Sequence, residues 1–277
     1  MANTYVPSTH KSFDFGRVLN RTFASIRDNW RSFSLASIVI IGIPYFLVNL
    51  IPALSGAFAS GVISGGDVSA NYMGILVGVG VLTAIVVMIS TFVLQSLIIH
   101  TAIKDFQGQS VGFSESFGVA LKYLLPVLGF GILGGLGILL GFILLIVPGI
   151  ILALMWYVAV PVMIVEKTGV MGAFGRSAEL TSGNKWWILL TVIVLGLIGA
   201  VVSALILAVS LIFGVPTQDA IIMQGAATAP LILYAAANGV ATAFSTLIGA
   251  VGVAAVYYEL RYIKEGIEAE SIGDVFS

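Results

Sequence analysis

The chain contains no cysteine, only two histidines (His10 and His100) and only 9% charged residues. Without cysteine there are no disulfides, thiol nucleophiles or thiolate metal sites, although compartment stays open. Two histidines do not make a histidine-rich metal centre within one chain, and no cofactor is expected. The formal net charge of −1 points to no nucleic-acid partner. Charge is scarce as well, since soluble domains carry about 25% charged residues. No Asp, Glu, Lys or Arg falls in the middle of any long apolar run. Ion- and proton-coupled transporters place such groups there because a charge in hydrocarbon is costly and kept for a purpose. A conventional pump is therefore disfavoured, while a passive or lipid-handling pathway stays open.

What the chain has instead is apolar length. It is 59% hydrophobic, and six runs approach or exceed the ~20 residues that cross a bilayer as a helix: 33–54, 72–99, 122–147, 148–165, 187–213 and 229–257. The expected fold is all-α, a polytopic bundle of six transmembrane helices with interfacial amphipathic helices. Three segments follow: an N-terminal segment 1–32, a membrane domain 33–257 and a tail 258–277. None of the segments between runs is long enough to bury an independent core, so no soluble catalytic domain is expected. The first apolar run starts too late for a signal peptide, and Asp14 and Asp28 argue against a mitochondrial presequence. If the N-terminus is cytoplasmic, so are all 12 basic residues. The connections 55–71 and 214–228 then carry only Asp67 and Asp219, and the third outer connection reads as a tight turn at Pro148-Gly149. Basic residues favour the cytoplasmic side, so both termini are expected there.

Residues 13–31 carry a helical stripe of Phe15, Val18, Leu19, Thr22, Phe23, Ile26 and Trp30. At ~100° per residue, Arg17, Arg21, Arg27 and Arg31 fall on the other face. This pattern suits a helix lying in the membrane interface, with the four arginines as candidate contacts to lipid phosphate. The pattern recurs. Phe-Gly-Arg stands at Phe15–Arg17 and again at Phe174–Arg176, each followed by Asn and Trp (Asn29-Trp30, Asn184-Lys185-Trp186). With Phe113–Phe117 leading into Leu121 and Tyr123, the chain reads as three units, each an interfacial helix followed by a membrane hairpin. Repeats of this kind are common in transporters, with sites between them.

Pro44, Pro126 and Pro161 are expected to kink or offset their helices, and Pro148 to start the fourth run harmlessly. Gly74/Gly78, Gly131/Gly135 and Gly137/Gly141 are spaced for close helix packing. Intramembrane polar residues (Asn49, Ser90, Thr91, Gln95, Ser203, Asn238, Thr242, Ser245) suit interhelical hydrogen bonds or a cavity lining. Asn49, Gln95, Trp156 and Asn238 are the candidate cavity residues. Trp156 and Tyr157 are unusual at the centre of a span, since both residue types prefer the interfaces. At the cytoplasmic ends of the runs, Glu166, Arg176, Glu259 and Arg261 form a candidate cluster, in which Arg176 is expected to meet Glu166 or Glu259.

A resemblance is carried by Leu144-Leu145-Ile146-Val147-Pro148-Gly149-Ile150, Val160-Pro161-Val162, Glu166, Arg176-Ser177, Leu180-Thr181 and Gly183. Tyr257-Tyr258-Glu259-Leu260-Arg261 and Lys264-Glu265-Gly266 complete it. These motifs resemble a family of bacterial membrane proteins that includes the membrane domains of glycerophosphoryl diester phosphodiesterases. In that family the position of Glu259 is more often Asp. The resemblance implies a six-helix protein of the bacterial cytoplasmic membrane. It carries over no catalysis, because the phosphodiesterase barrel and its metal ligands are missing. The expected function is non-enzymatic: lipid engagement, anionic lipids included, in membrane or envelope homeostasis or assembly. The alternative is a small-molecule or lipid transporter with a site between repeats. An intramembrane enzyme is a third reading, for which His100 has no evident acidic partner. An oligomer is compatible with all three.

Overall fold

The computed structural model describes residues 12–54, 70–213 and 228–266. The described residues are 90% helical, with no strand among them. The order is α1 (Phe15–Asp28), α2 (Trp30–Ser37), a π turn (Ile38–Gly42), α3 (Ile43–Leu54), α4 (Ala70–Phe106), α5 (Phe113–Leu144), α6 (Ile146–Met155), α7 (Ala159–Glu166), α8 (Gly169–Thr181), α9 (Lys185–Ile212) and α10 (Thr228–Glu265). Six stretches are long and apolar enough to cross a membrane: Trp30–Val48, Gly80–Phe106, Phe113–Leu144, Ile146–Glu166, Lys185–Ile212 and Ile232–Glu265. Their outward faces carry large apolar side chains such as Leu125, Leu140, Ile143, Leu197 and Leu205. Soluble proteins rarely expose such continuous apolar surface; hydrocarbon is the solvent that suits it. The molecule is an all-α, multi-pass membrane protein.

Helix α10 is the centre of the bundle. Of its most apolar window 67% is buried, against 11% for that of α9. It packs on α9, α4, α3 and α1. Small residues permit this: a Cβ at Gly239 would lie 2.8 Å from the Gly42 carbonyl oxygen, so two backbones meet where no side chain fits. Other close contacts follow the expected glycines only in part. Gly131 faces the Phe92 ring, Gly137 the Trp156 ring and Gly141 the Gly149 backbone, whereas Gly74, Gly78 and Gly135 have open space at the Cβ position.

The prolines explain most departures from the sequence reading. Pro44 lacks the N–H that would bond Ile40. The chain absorbs this with the preceding π turn, in which Ile43 N–H bonds the Ile38 carbonyl. Pro126 stays within an unbroken α5. Helix α5 begins at Phe113 and runs straight into the span, so the second of the three expected units has no separate interfacial helix. The α5–α6 turn falls at Leu145 (φ −165°, ψ 153°), three residues before the expected Pro148-Gly149, and Pro148 sits in the first turn of α6 as expected. Pro161 ends a helix rather than kinking one. Its ring would clash with the Tyr157 carbonyl, and the span breaks at Trp156–Val158. Pro161 is thereby placed in the first turn of α7, where no N–H is needed. Finally, α10 continues to Glu265, so residues 258–265 are helix, not tail.

Candidate functional site: the charged end of α10

The last turns of α10 carry Tyr257, Tyr258, Glu259, Arg261, Tyr262, Lys264 and Glu265. Helical spacing sends these side chains to different sides, and each side binds a different element.

One side holds α1. Glu259 is fully buried, and its Oε2 lies 3.0 Å from Arg21 Nη1 and 3.1 Å from Arg17 Nε. Its Oε1 accepts the Asp14 backbone N–H at 3.2 Å. The guanidiniums stack on the same stretch of α10, Arg17 at 4.9 Å from the Tyr262 centroid and Arg21 at 4.5 Å from that of Tyr258. Asp14 caps α1 by accepting the Arg17 N–H at 3.0 Å. Helix α1 therefore turns Val18, Thr22 and Ser25 into the bundle, a face at the edge of its apolar stripe. Phe23 and Trp30 stay exposed. Two of the four arginines expected at lipid phosphate are thus paired within the protein. Arg17 and Arg21 serve a buried carboxylate, which must be paired because a lone buried charge is costly. Of the other two, Arg27 pairs with Asp28 at 2.9 Å, and Arg31 lies exposed over the Trp30 ring.

The other side holds α7 and α8. Arg176 Nε donates to Glu166 Oε2 at 2.8 Å and Nη1 to Glu179 Oε2 at 3.1 Å, while Nη2 pairs with Glu265. Burial pulls the Arg176 pKa down, but its carboxylate partners outweigh this and the net shift is upward. Arg261 bonds Glu265 at 2.6 Å and stands 4.0 Å from Glu166. Tyr257 donates its hydroxyl to Glu166 Oε1 at 3.0 Å. Lys264 Nζ donates to the Glu179 carbonyl at 3.1 Å and Ser182 Oγ at 3.2 Å. A left-handed turn at Lys167 (φ 54°) and Gly169 (φ 70°) folds α8 back so that Arg176 and Glu166 can meet. The structure thus joins Arg176 with Glu166 and places Glu259 with α1 instead. Glu265, Tyr257 and Lys264 are the members that sequence reading missed. The i, i+4 spacing of Arg261 and Glu265 is the signal that could have found the first.

Helix α8 also repairs the broken span. The Ser177 hydroxyl donates to the Met155 carbonyl at 2.8 Å, an oxygen that the break leaves without its helical partner. Thr181 Oγ1 also lies 3.3 Å from it but is nearer the Ser177 carbonyl, at 2.9 Å. Phe174 packs against Phe130 and Trp156, with centroids 4.9 and 4.8 Å away.

Beside the break, Tyr157, α9 and α10 enclose a cleft of about 330 Å³, lined also by Leu195, Gly196, Ser203, Ser245 and Gly249. Of the four expected cavity residues, the three described side chains (Gln95, Trp156 and Asn238) are not part of its lining. Trp156 is packed on Gly137 and Phe174. Asn238 donates one amide proton to the Tyr234 carbonyl of its own helix at 3.0 Å. Gln95 is half-buried on α4, and the Asn49 side chain lies outside the described residues. Elsewhere, His100 Nδ1 lies 3.1 Å from Ser116 Oγ, to which Thr101 donates at 2.8 Å. Ser116 is fully buried, which closes it to a substrate. Among the described residues, no three His, Asp or Glu are grouped to hold a metal.

Residues 131–260 match a family model described as a domain of unknown function (DUF7847). No curated protein and no solved structure matches the chain. The matched stretch runs from α5 through Leu260, and so includes Glu166, Arg176, Glu179, Tyr257, Glu259 and the cleft but not Arg261, Lys264 or Glu265. Arg17 and Arg21 lie outside it.

Proposed function

We propose that this is a non-enzymatic protein of the bacterial cytoplasmic membrane that engages lipids, anionic ones included, in membrane or envelope homeostasis or assembly. One observation carries the reading. The two ion clusters neutralise themselves, Arg17 and Arg21 against Asp14 and Glu259, and Arg176, Arg261 and Lys264 around Glu166, Glu179 and Glu265. Of the described cations outside these clusters, Arg27 pairs with Asp28 and Lys104 with Gln109, and Lys167 follows the fourth stretch. Three others stand beside aromatic residues in the first part of a spanning stretch: Trp30-Arg31, Lys122-Tyr123 and Lys185-Trp186. Arg31 lies 5.5 Å from the Trp30 centroid and Lys122 5.9 Å from that of Tyr123, and Trp186 is 83% exposed. Aromatic rings favour the headgroup level and basic side chains reach to phosphate there. This end is then cytoplasmic, as are both termini. The likeness to the membrane domains of glycerophosphoryl diester phosphodiesterases belongs to the same proposal.

The test is retention of anionic lipid by the full-length protein, read by native mass spectrometry. Each basic residue near an anionic surface contributes about 1 kcal/mol. The triple variant Arg31→Gln, Lys122→Gln, Lys185→Gln should therefore lose most bound anionic lipid at low salt while keeping its thermal transition. Unchanged retention sinks the proposal.

A second reading, a transporter, is favoured by the broken fourth span beside the cleft, because discontinuous helices line substrate sites in many transporters. Uptake of a neutral amphiphile by reconstituted vesicles tests it.

A further inference from the structure

We infer that the cleft between α9, α10 and Tyr157 is a binding site for a neutral lipid alcohol: an apolar chain bearing one hydroxyl group. Its volume of about 330 Å³ sits at the lower end of the range of ligand sites, ~300–1,000 Å³. The wall is apolar except for three hydroxyls. Val192, Leu195, Gly196, Gly199 and Ser203 follow one another along one face of α9, and Ser245 and Gly249 face them from α10. At Gly196 and Gly249 an added Cβ would meet nothing within 4 Å, so both glycines border open space rather than a packed neighbour.

The hydroxyls define the chemistry. Ser245 Oγ donates to the Gly199 carbonyl at 3.4 Å. Either serine can be the donor in the Ser203–Ser245 bond of 2.9 Å, and in both arrangements Ser203 keeps a lone pair, so a ligand that donates fits whichever way the protons lie. No hydrogen bond falls to Tyr157 among the described residues, and its phenol can donate or accept. A hydroxyl both donates to Ser203 and accepts from Tyr157; an ether or ester can only accept. No Asp, Glu, Lys, Arg or His lines the cleft, so an ionised headgroup would go unpaired in a medium where that is costly. The binding claim names the ligand class for the transporter reading but does not require passage across the membrane. It is independent of anionic lipid at the basic end.

The experiment uses the full-length protein in phosphatidylcholine vesicles and two photoreactive C16 probes, a primary alcohol and its methyl ether. The alcohol should label peptides of α9 and α10 about tenfold more than the ether, the difference of one net hydrogen bond. Ser203→Ala and Tyr157→Phe should each erase that preference. Gly249→Leu should block labelling by both probes, and its thermal transition shows whether it is folded. Equal labelling by alcohol and ether overturns the inference, as does labelling of neither, the outcome for a cleft that holds water only. Alcohol labelling that survives in folded Gly249→Leu overturns it too. If Gly249→Leu does not fold, the Ser203 and Tyr157 variants decide.

Discussion

Arg21 and Glu259 stand 238 positions apart in sequence and 3.0 Å apart in space. Their contact joins the first helix to the last. Around it, α10 grips α1 on one side and α7 and α8 on the other, so one helix carries two separate ion clusters.

The two partners of this contact differ in burial, and an asymmetry follows. Glu259 is fully enclosed, whereas a quarter of the Arg21 side chain and a third of that of Arg17 are exposed. Removing both arginines (Arg17→Gln, Arg21→Gln) leaves a buried carboxylate unpaired and should cost about 3–5 kcal/mol. Glu259→Gln leaves arginines that can turn to headgroups and should cost less, about 1–2 kcal/mol. Adding Glu259→Gln to the double arginine variant should restore stability. Denaturant unfolding checks the order, and an equal cost for both changes contradicts it.

The broken span is capped by Ser177 on α8, with Thr181 as the second hydroxyl within reach of the same carbonyl. Thr181→Ala alone should cost little, because Ser177 still donates to the Met155 carbonyl. Ser177→Ala with Thr181→Ala leaves that oxygen without its donors and should cost about 1–3 kcal/mol. Thermal unfolding in detergent measures both, and additive small losses would show that the carbonyl finds another donor.

Gly239→Ala tests the crossing of α10 with the first span. The new methyl would meet the Gly42 carbonyl oxygen at 2.8 Å, and backbone cannot swing aside as a side chain does. A loss of about 1–3 kcal/mol is expected. Gly249→Ala, into open space, is the control and should be neutral or stabilising, because Ala is the better helix former.

Sidedness is tested with single cysteines in the cysteine-free chain. Positions Ser64 and Thr217 lie outside the described residues, within the two long connections that carry no basic residue. Both should react with an impermeant maleimide added outside intact cells. Reaction from the cytoplasmic side alone reverses the topology.

Sequence by itself determined the membrane class, the number of spans and the approximate ends of most of them, because an apolar run of bilayer length has few other places to go. It also showed that Glu166, Arg176, Glu259 and Arg261 occupy ends of spans, and it placed the phenol of Tyr157 in an unusual position. Pairing was another matter. Helical periodicity assigns Arg17 and Arg21 to the face opposite the stripe but does not say what that face meets; only the packing of α1 on α10 turned them from lipid to Glu259. The same packing decided that Arg176 takes Glu166, Glu179 and Glu265. The break at Trp156–Val158 was implicit in Pro161, since a proline forbids helix four residues back, but its repair by Ser177 was not. Runs and prolines act through the local backbone and are legible along the chain. Ion pairs and the cleft depend on which faces meet across the bundle, and that is settled only when the helices pack.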